Sequence, residues 1–527
     1  MPTLTIDGKQ ITVEPGTKVI EAAKQLGIFV PFYCYHPGLS IAGNCRICMV
    51  EIEKIPRTQI ACNTDCTDGM VVHTQSEKAT DTRRHILEFL LANHPLDCPV
   101  CDQAGECWLQ DYYMRYGLYD ARFYEQKVKK EKAVSIGPTV MLDAERCILC
   151  SRCVRFADEI TKTSELGIVN RGDHSEITVH PDKELNNKYS GNVVDICPVG
   201  ALTDKDFRFK CRVWYLKKTD SICPGCSRGC NIEIHSNPDR SQHGAGERVM
   251  RLKPRENPEV NQWWMCDAGR YGYKFIDEKR IARPRVHPAR EMVWDEILNQ
   301  IAYQIKEAKR PIGVFVSPKL SNEELFLVRK LFGKEKLFLI SPHPDGDQDN
   351  LLIRADKNPN TRGAELLGFS SASVQTVLAS CKSSSVEGVF IFGQDILTLM
   401  GRDLKSARIY ENFKWSVFMG SNSNPTSESA SYVLPSATYA EKNGTFTNFQ
   451  GRIQKFNKAF EPLAESRPEW VILTELANRL GAAWSYRTEE EVFAELAREV
   501  SVFREITYEK IGSQGVGVGN PILPRVA

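Results

Sequence analysis

Seventeen of the 18 cysteines in this 527-residue chain lie at or before Cys266, and only Cys381 follows. That asymmetry constrains the chain more than any other feature. The first half must gather many thiols into small groups, and the second half has no such duty. Clustered cysteines in a long chain point to metal or redox sites rather than to a secreted disulfide framework. The N-terminus, Met1-Pro2-Thr3-Leu4-Thr5-Ile6, shows neither a basic region nor an apolar leader. No apolar run approaches the ~18 residues that span a bilayer. We therefore expect a soluble, unexported protein that meets a membrane only through partners. With 68 basic and 67 acidic residues, a formal net charge of +1 leaves no electrostatic case for nucleic acid or anionic lipid as the main partner. The length allows about three or four domains.

The patterning divides in the same place. Leu4, Ile6, Ile11 and Val13 alternate about Asp7-Gly8, which predicts a β-hairpin. Val19 to Leu26 reads as a helix with Thr17 at its N-cap, and Met49 to Glu53 and Met70 to Thr74 read as strands. Thr82 to Asn93 reads as a helix with Ile86, Leu87, Leu90 and Leu91 on one side, and Lys127, Lys129, Lys130 and Lys132 as a solvated linker. After residue 285, helical spacing at Trp294, Ile297, Ile301 and Ile305 alternates with the strand patterns Ile312 to Val316 and Val386 to Phe392. A further helix with Trp470, Leu473, Leu476 and Leu480 closes at Gly481. Alternating helices and apolar strands predict an α/β domain. The glycine-rich tail from Gly512 is expected to be extended or mobile.

The cysteines fall into four constellations. Cys34, Cys45, Cys48 and Cys62 are separated by 10, 2 and 13 residues. This resembles, without matching, the plant-type [2Fe–2S] pattern, and Gly38 and Gly43 would let the loop wrap an inorganic core. Zinc is the competing reading. The hairpin–helix–loop setting of a β-grasp ferredoxin argues against it. Cys66 could exchange with Cys62, which we prefer. His94, Cys98, Cys101 and Cys107 form a set for either a His-ligated iron–sulfur cluster or a zinc ion held by three thiolates and one imidazole, and spacing alone leaves both open. Cys147, Cys150 and Cys153 with the distant Cys197-Pro198 carry the bacterial ferredoxin signature of one [4Fe–4S] cube. Cys223, Cys226 and Cys230 with Cys266 also suit a cube, although 35 residues separate the last two. Cys211 and Cys381 read as small buried hydrophobes.

These four motifs in this order resemble the large iron–sulfur subunit of respiratory complex I, the 75 kDa subunit family. The most specific parts are the first two sets and the stretch 192–202 around Cys197-Pro198. The resemblance implies a β-grasp [2Fe–2S] domain over residues 1–78. It implies a [4Fe–4S] module with one histidine and three cysteine ligands over 79–120 and a ferredoxin-like [4Fe–4S] module over 138–217. Beyond these it implies a molybdopterin-oxidoreductase-type [4Fe–4S] domain over 218–275. The stretch Trp264 to Arg270 looks like the family's segment around the last ligand of an extra cluster, held by some bacterial members off the main electron path. Residues 434–454 resemble molybdopterin oxidoreductases. The 242 residues after Arg285 (527 − 285) are too few for a complete molybdenum pocket, so 285–527 is expected to be a degenerate scaffold, with Gly444 and Gly451 in ordinary turns.

The function implied is electron relay from an NADH- and FMN-binding subunit towards quinone, with no substrate chemistry on this chain. The implied partners are that flavin subunit and other peripheral-arm iron–sulfur subunits, at the cytoplasmic face of a bacterial inner membrane. No molybdenum is expected, and neither a P-loop nor a Gly-x-Gly-x-x-Gly fingerprint is present to hold a nucleotide. A formate dehydrogenase shares the N-terminal modules but needs a full molybdenum domain and a metal-bound cysteine, and the only late cysteine, Cys381, sits in a polar stretch. An iron hydrogenase needs several late cysteines. A zinc scaffold is separated from the electron carrier by metal analysis.

Overall fold

Asp7 and Gly8 both adopt left-handed backbone, with φ of 46° and 81°. This is the pair a tight hairpin turn requires, and it joins β1 (Thr3–Ile6) to β2 (Lys9–Thr12). The computed structural model describes residues 1–518 apart from 119, 245, 334–336, 342, 375, 378, 380–385 and 401–412. The described chain forms two compact units, Met1–Tyr215 and Leu216–Ala527.

In the first unit, α1 (Val19–Gln25) follows the hairpin, and β3 (Met49–Ile52), β4 (Gln59–Ile60) and β5 (Val71–His73) complete a five-stranded sheet ordered β2-β1-β5-β3-β4. β1 and β5 run parallel, and Val19, Ile20, Ala22 and Ala23 of α1 are buried with the apolar face of the sheet, as in a β-grasp fold. Lys18, not Thr17, is the N-cap of α1, and it makes no side-chain cap. The Thr17 hydroxyl instead donates back to the Glu14 carbonyl. α2 runs over Glu77–Ala92. It begins five residues before the expected start at Thr82 because Ser76 caps it by accepting from the Ala79 N–H. α3 spans Trp108–Tyr116.

The lysine-rich segment is not simply solvated. Lys127 Nζ donates to the Leu91 and Ala92 carbonyls at 2.8 and 2.7 Å, Lys130 Nζ donates to Ser175 O, and Lys132 pairs with Asp97 and Glu145. Charge spacing could not reveal that the unsatisfied carbonyls of a helix end would claim one of these ammonium groups.

The second unit begins with an antiparallel sheet of Lys217–Ile222, Asn231–Ser236 and Val249–Pro254. Its larger part is an eight-stranded sheet. Six parallel strands lie in the order Tyr432–Pro435, Trp415–Gly420, Gly388–Phe392, Ile312–Val316, Leu337–Leu339 and Ser370–Ser371. Arg285–Val286 and Arg290–Glu291 add an antiparallel edge. Burial on both faces explains the continuous apolar runs. In Gly388–Phe392, Phe390 and Phe392 join the core with the helices Trp294–Glu307, Asn322–Phe332, Glu469–Arg479 and Glu489–Glu499, while Val389 and Ile391 join the core of the opposite face. Gly444 is not in a turn. It opens the strand Gly444–Thr447, where a Cβ would come 2.6 Å from the Phe456 ring. Gly451 does sit in a turn, with φ 78°. Within the tail, Val516–Gly517 pairs with Arg452–Ile453, so this part is held as a strand. Cys381, its polar stretch and the last nine residues lie outside the described residues.

Candidate metal-cluster sites

Four thiols meet at the first set. The Cys34 N–H donates to Cys45 Sγ at 3.4 Å. Hydrogen bonds from the Cys45 and Cys62 thiols pull Cys34 down to about 2, and Cys62 likewise lowers Cys48. Cys45 and Cys62, as the proton holders, are pushed well up. Gly43 takes φ 61° and a Cβ there would stand 3.2 Å from Ile60 Cδ1, so this glycine turns the loop. Gly38 does not share that role. Its N–H donates to His36 Nδ1, and only Gly43 of the two takes positive φ. The Cys66 N–H donates to Thr17 O, and burial and Asp65 push its thiol up.

His94 follows directly on the end of α2. The Lys127 ammonium on the last carbonyls and the Val128 N–H on Asn93 Oδ1 pin that end. His94, Cys98, Cys101 and Cys107 line one cavity of about 410 Å³, with Arg146 and Gly200 in its wall. Burial first, then Arg146 and Lys127, lower His94 to about 4. Its imidazole is therefore neutral near pH 7, the form that binds iron. Burial pushes Cys107 up to about 11. At Gly200 a Cβ would stand 2.2 Å from Cys101 Sγ, so the missing side chain makes the room the sulfur uses. Gly200→Ala is expected to lose about four irons per chain while the [2Fe–2S] EPR signal persists. A full iron count in that variant would show that the cavity yields.

The third set also lines a single small cavity, walled by Leu142, Ile148, Ile177 and Val199. Leu149 and Ser151 adopt φ of 53° and 61°, curling the loop so that Cys147, Cys150 and Cys153 face inward. Cys197 arrives from the short helix Asn192–Ile196, which Pro198 prevents from continuing. Burial pushes Cys147 and Cys197 up to about 12. Thiols buried this deeply keep their protons unless a cation takes their place.

In the second unit, Cys223, Cys226 and Cys230 lie on the loop joining Lys217–Ile222 to Asn231–Ser236, and the Cys223 N–H donates to Cys230 O at 2.9 Å. Asn231–Ser236 and Val249–Pro254 form a hairpin that takes up the long gap before Cys266. Cys266 Sγ accepts from the Gly269 N–H at 3.4 Å, and a Cβ on Gly269 would come 2.9 Å from Cys223 Sγ and 3.5 Å from Cys266 Sγ. The two sulfurs thus meet over a glycine. Burial pushes Cys266 up to about 11 and raises Cys223 and Cys230 as well.

Among the described residues no group of three or more His, Cys, Asp or Glu is placed to hold a single metal ion. The second and third sets each border a cavity, the third walled largely by aliphatic side chains, and glycines leave room at sulfurs of the second and fourth sets. Soft thiolate donors around such space fit an iron–sulfur core. Sequence reasoning overlooked Arg146, Arg152, Lys127, Gly200 and Gly269. Arg146, Arg152, Gly200 and Gly269 lie within three residues of a cysteine of these sets, which was the available signal.

Comparison with known proteins matches each region to a family. Residues 1–77 match a 2Fe-2S iron–sulfur cluster binding domain, and 83–122 match the NADH-ubiquinone oxidoreductase-G iron–sulfur binding region. Residues 137–203 match the ferredoxin-like domain of NADH-quinone oxidoreductase subunit 3, 216–278 a molybdopterin oxidoreductase Fe4S4 domain and 354–479 molybdopterin oxidoreductase itself. The fold and these matches define a multidomain protein with 2Fe–2S- and 4Fe–4S-binding domains ahead of a molybdopterin-oxidoreductase-like half. The G subunit of NADH-quinone oxidoreductase from Rickettsia conorii is 30% identical, over 96% of this chain and 92% of that protein. The chain belongs to the family of NADH-quinone oxidoreductase G subunits. The mitochondrial 78 kDa subunit of NADH-ubiquinone oxidoreductase from Neurospora crassa is 44% identical over 57% of this chain and 40% of its own length. A chain of an NAD+-reducing [NiFe]-hydrogenase is 32% identical with a TM-score of 0.37, over 40% of this chain and 91% of that one.

Proposed function

We propose that this chain is the electron-relay subunit of an NADH:quinone oxidoreductase, carrying one [2Fe–2S] cluster at Cys34, Cys45, Cys48 and Cys62 and three [4Fe–4S] clusters at the other three sets. The single observation that carries this reading is that the second and third sets each line one common cavity, while in the first Cys34 lies against Cys45 and Cys62, and Cys62 against Cys48. The clusters supply one-electron acceptors. The protein's own part is to hold them, exclude water and set their potentials through ligand type, hydrogen bonds and nearby charge. Cys62 serves in preference to Cys66 because Cys62 shares hydrogen bonds with Cys34 and Cys48.

NADH and FMN belong on a partner subunit, other iron–sulfur subunits accept the electrons, and the assembly sits at the cytoplasmic face of a bacterial inner membrane. Among the described residues no helix is long and apolar enough to cross a membrane. Residues 285–527 act as scaffold without molybdenum. Their molybdopterin-like segment uses its charges internally: Lys442 is paired with Glu324 and Glu469, and Glu441 with Arg280 and Arg248. Metal analysis of anaerobically purified protein tests the whole reading, with about 14 irons per chain expected and no molybdenum. Stoichiometric molybdenum would restore the formate dehydrogenase reading, and zinc in place of iron would end the electron-transfer one.

A further inference from the structure

We infer that Arg152 is a buried counter-charge shared by the first and third clusters, and that its guanidinium raises the reduction potential of both. Arg152 is only 2% exposed. A buried guanidinium ordinarily has a carboxylate partner, because an unpaired charge in the interior is costly. Arg152 has none among the described residues. Nη1 donates to Ile196 O at 2.9 Å, Nη2 donates to Tyr35 O, and Nε has no partner. Its flat faces are covered by Trp108, with the ring centroid 4.7 Å away, and by Phe32 at 5.6 Å.

Those contacts fix where the charge lies. Tyr35 adjoins Cys34 of the first set, Ile196 adjoins Cys197 of the third, and Arg152 itself sits between Cys150 and Cys153. The thiols acting on it are Cys150, Cys197 and Cys45, which belong to those two sets alone. Arg155 ties the same two loops from a more exposed position, donating to the Cys34 and Cys150 carbonyls. Four thiolates around an iron–sulfur core leave a net negative charge, and each added electron makes it more negative. A fixed cation in this dry setting stabilises the reduced state of each neighbour. The partner missing from the protein is thus supplied by the clusters. Arg146 beside Cys101 makes the contrast: its charge is already balanced by Asp97 and Asp143.

The inference rests on the cluster assignment proposed above, and the test separates the two. Potentiometric EPR titration is carried out on the assembled complex, with the third cluster's signal identified by its loss in Cys150→Ala. Arg152→Gln is expected to shift both the first and third reduction equilibria at least tenfold against reduction, 59 mV downward for a one-electron couple, with the second cluster unmoved. Arg152→Lys keeps the charge and is expected to hold both potentials near the unmodified values. If the glutamine variant does not fold, Arg152→Met, which keeps an unbranched side chain without the charge, is read in its place with the same expected fall. Unmoved potentials in Arg152→Gln, or an equal fall in Arg152→Lys, would overturn the inference alone. A wild-type complex without cluster signals would overturn it together with the assignment.

Discussion

Cys150→Ala is expected to abolish NADH-driven quinone reduction while leaving the [2Fe–2S] signal in place. Cys150 is buried beside Cys147, Cys153 and Cys197 in their common cavity, and alanine offers no donor to complete the fourth corner. Losing that cube removes about four irons per chain. Electron relay has no alternative chemistry to fall back on: an absent carrier lengthens the gap, and no side chain in the cavity wall can accept an electron in its place. Iron analysis, EPR and turnover on the same preparation check the expectation. Normal turnover with the third signal missing would show that the cube lies off the working path.

The largest expected effect on stability belongs to Lys442→Met. Lys442 Nζ lies 2.6 Å from Glu324 Oε1 and 2.5 Å from Glu469 Oε2, with all three side chains buried. Burial and Glu324 push Glu469 up to about 8, whereas at Glu324 burial is outweighed by Lys442 and the hydrogen bonds together, which hold that carboxyl below its usual value. Removing the ammonium leaves two carboxylates facing each other in the core, and breaking a buried pair from one side costs about 3–5 kcal/mol. The pH dependence follows from proton counting. Glu469, raised above the ~4.3 of an unfolded chain, contributes stability that is full below that value and is lost as pH rises through about 8. Without Lys442 both carboxyls move upward, so the folded variant binds more protons than the unfolded chain. The deficit should therefore be larger at pH 8 than at pH 5.5. Calorimetric unfolding of the full chain at the two values checks this, and a deficit that grows on acidification would contradict it.

Much of this architecture was legible because its signals are local. Asp7-Gly8 states a hairpin in two residues, and the spacing of Cys147, Cys150 and Cys153 states a loop that must curl on itself. The α/β half was legible from its alternation of apolar strands with helical stripes. What stayed hidden depends on long-range partners. Lys127 looks like any solvated lysine until the end of α2, 35 residues earlier, is placed against it. Gly444 looks like a turn residue until Phe456 closes on it from the neighbouring strand. Arg152 reads as one more charge beside a cysteine motif, and only burial without a carboxylate sets it apart.

The long interval between Cys153 and Cys197 has a topological meaning. The hairpin Leu166–Val169 with Glu176–Val179 lies between these two ligands, so a cluster that binds both closes a loop around it. Such a closure acts on the chain as a disulfide does, removing conformations from the unfolded ensemble and more of them as the loop lengthens. A cube bound there would be a rivet as well as a carrier. A backbone cut within the hairpin would leave two fragments joined through iron, and they would part on oxidative loss of the cluster. Redox damage to the relay and mechanical failure of this segment would then be one event.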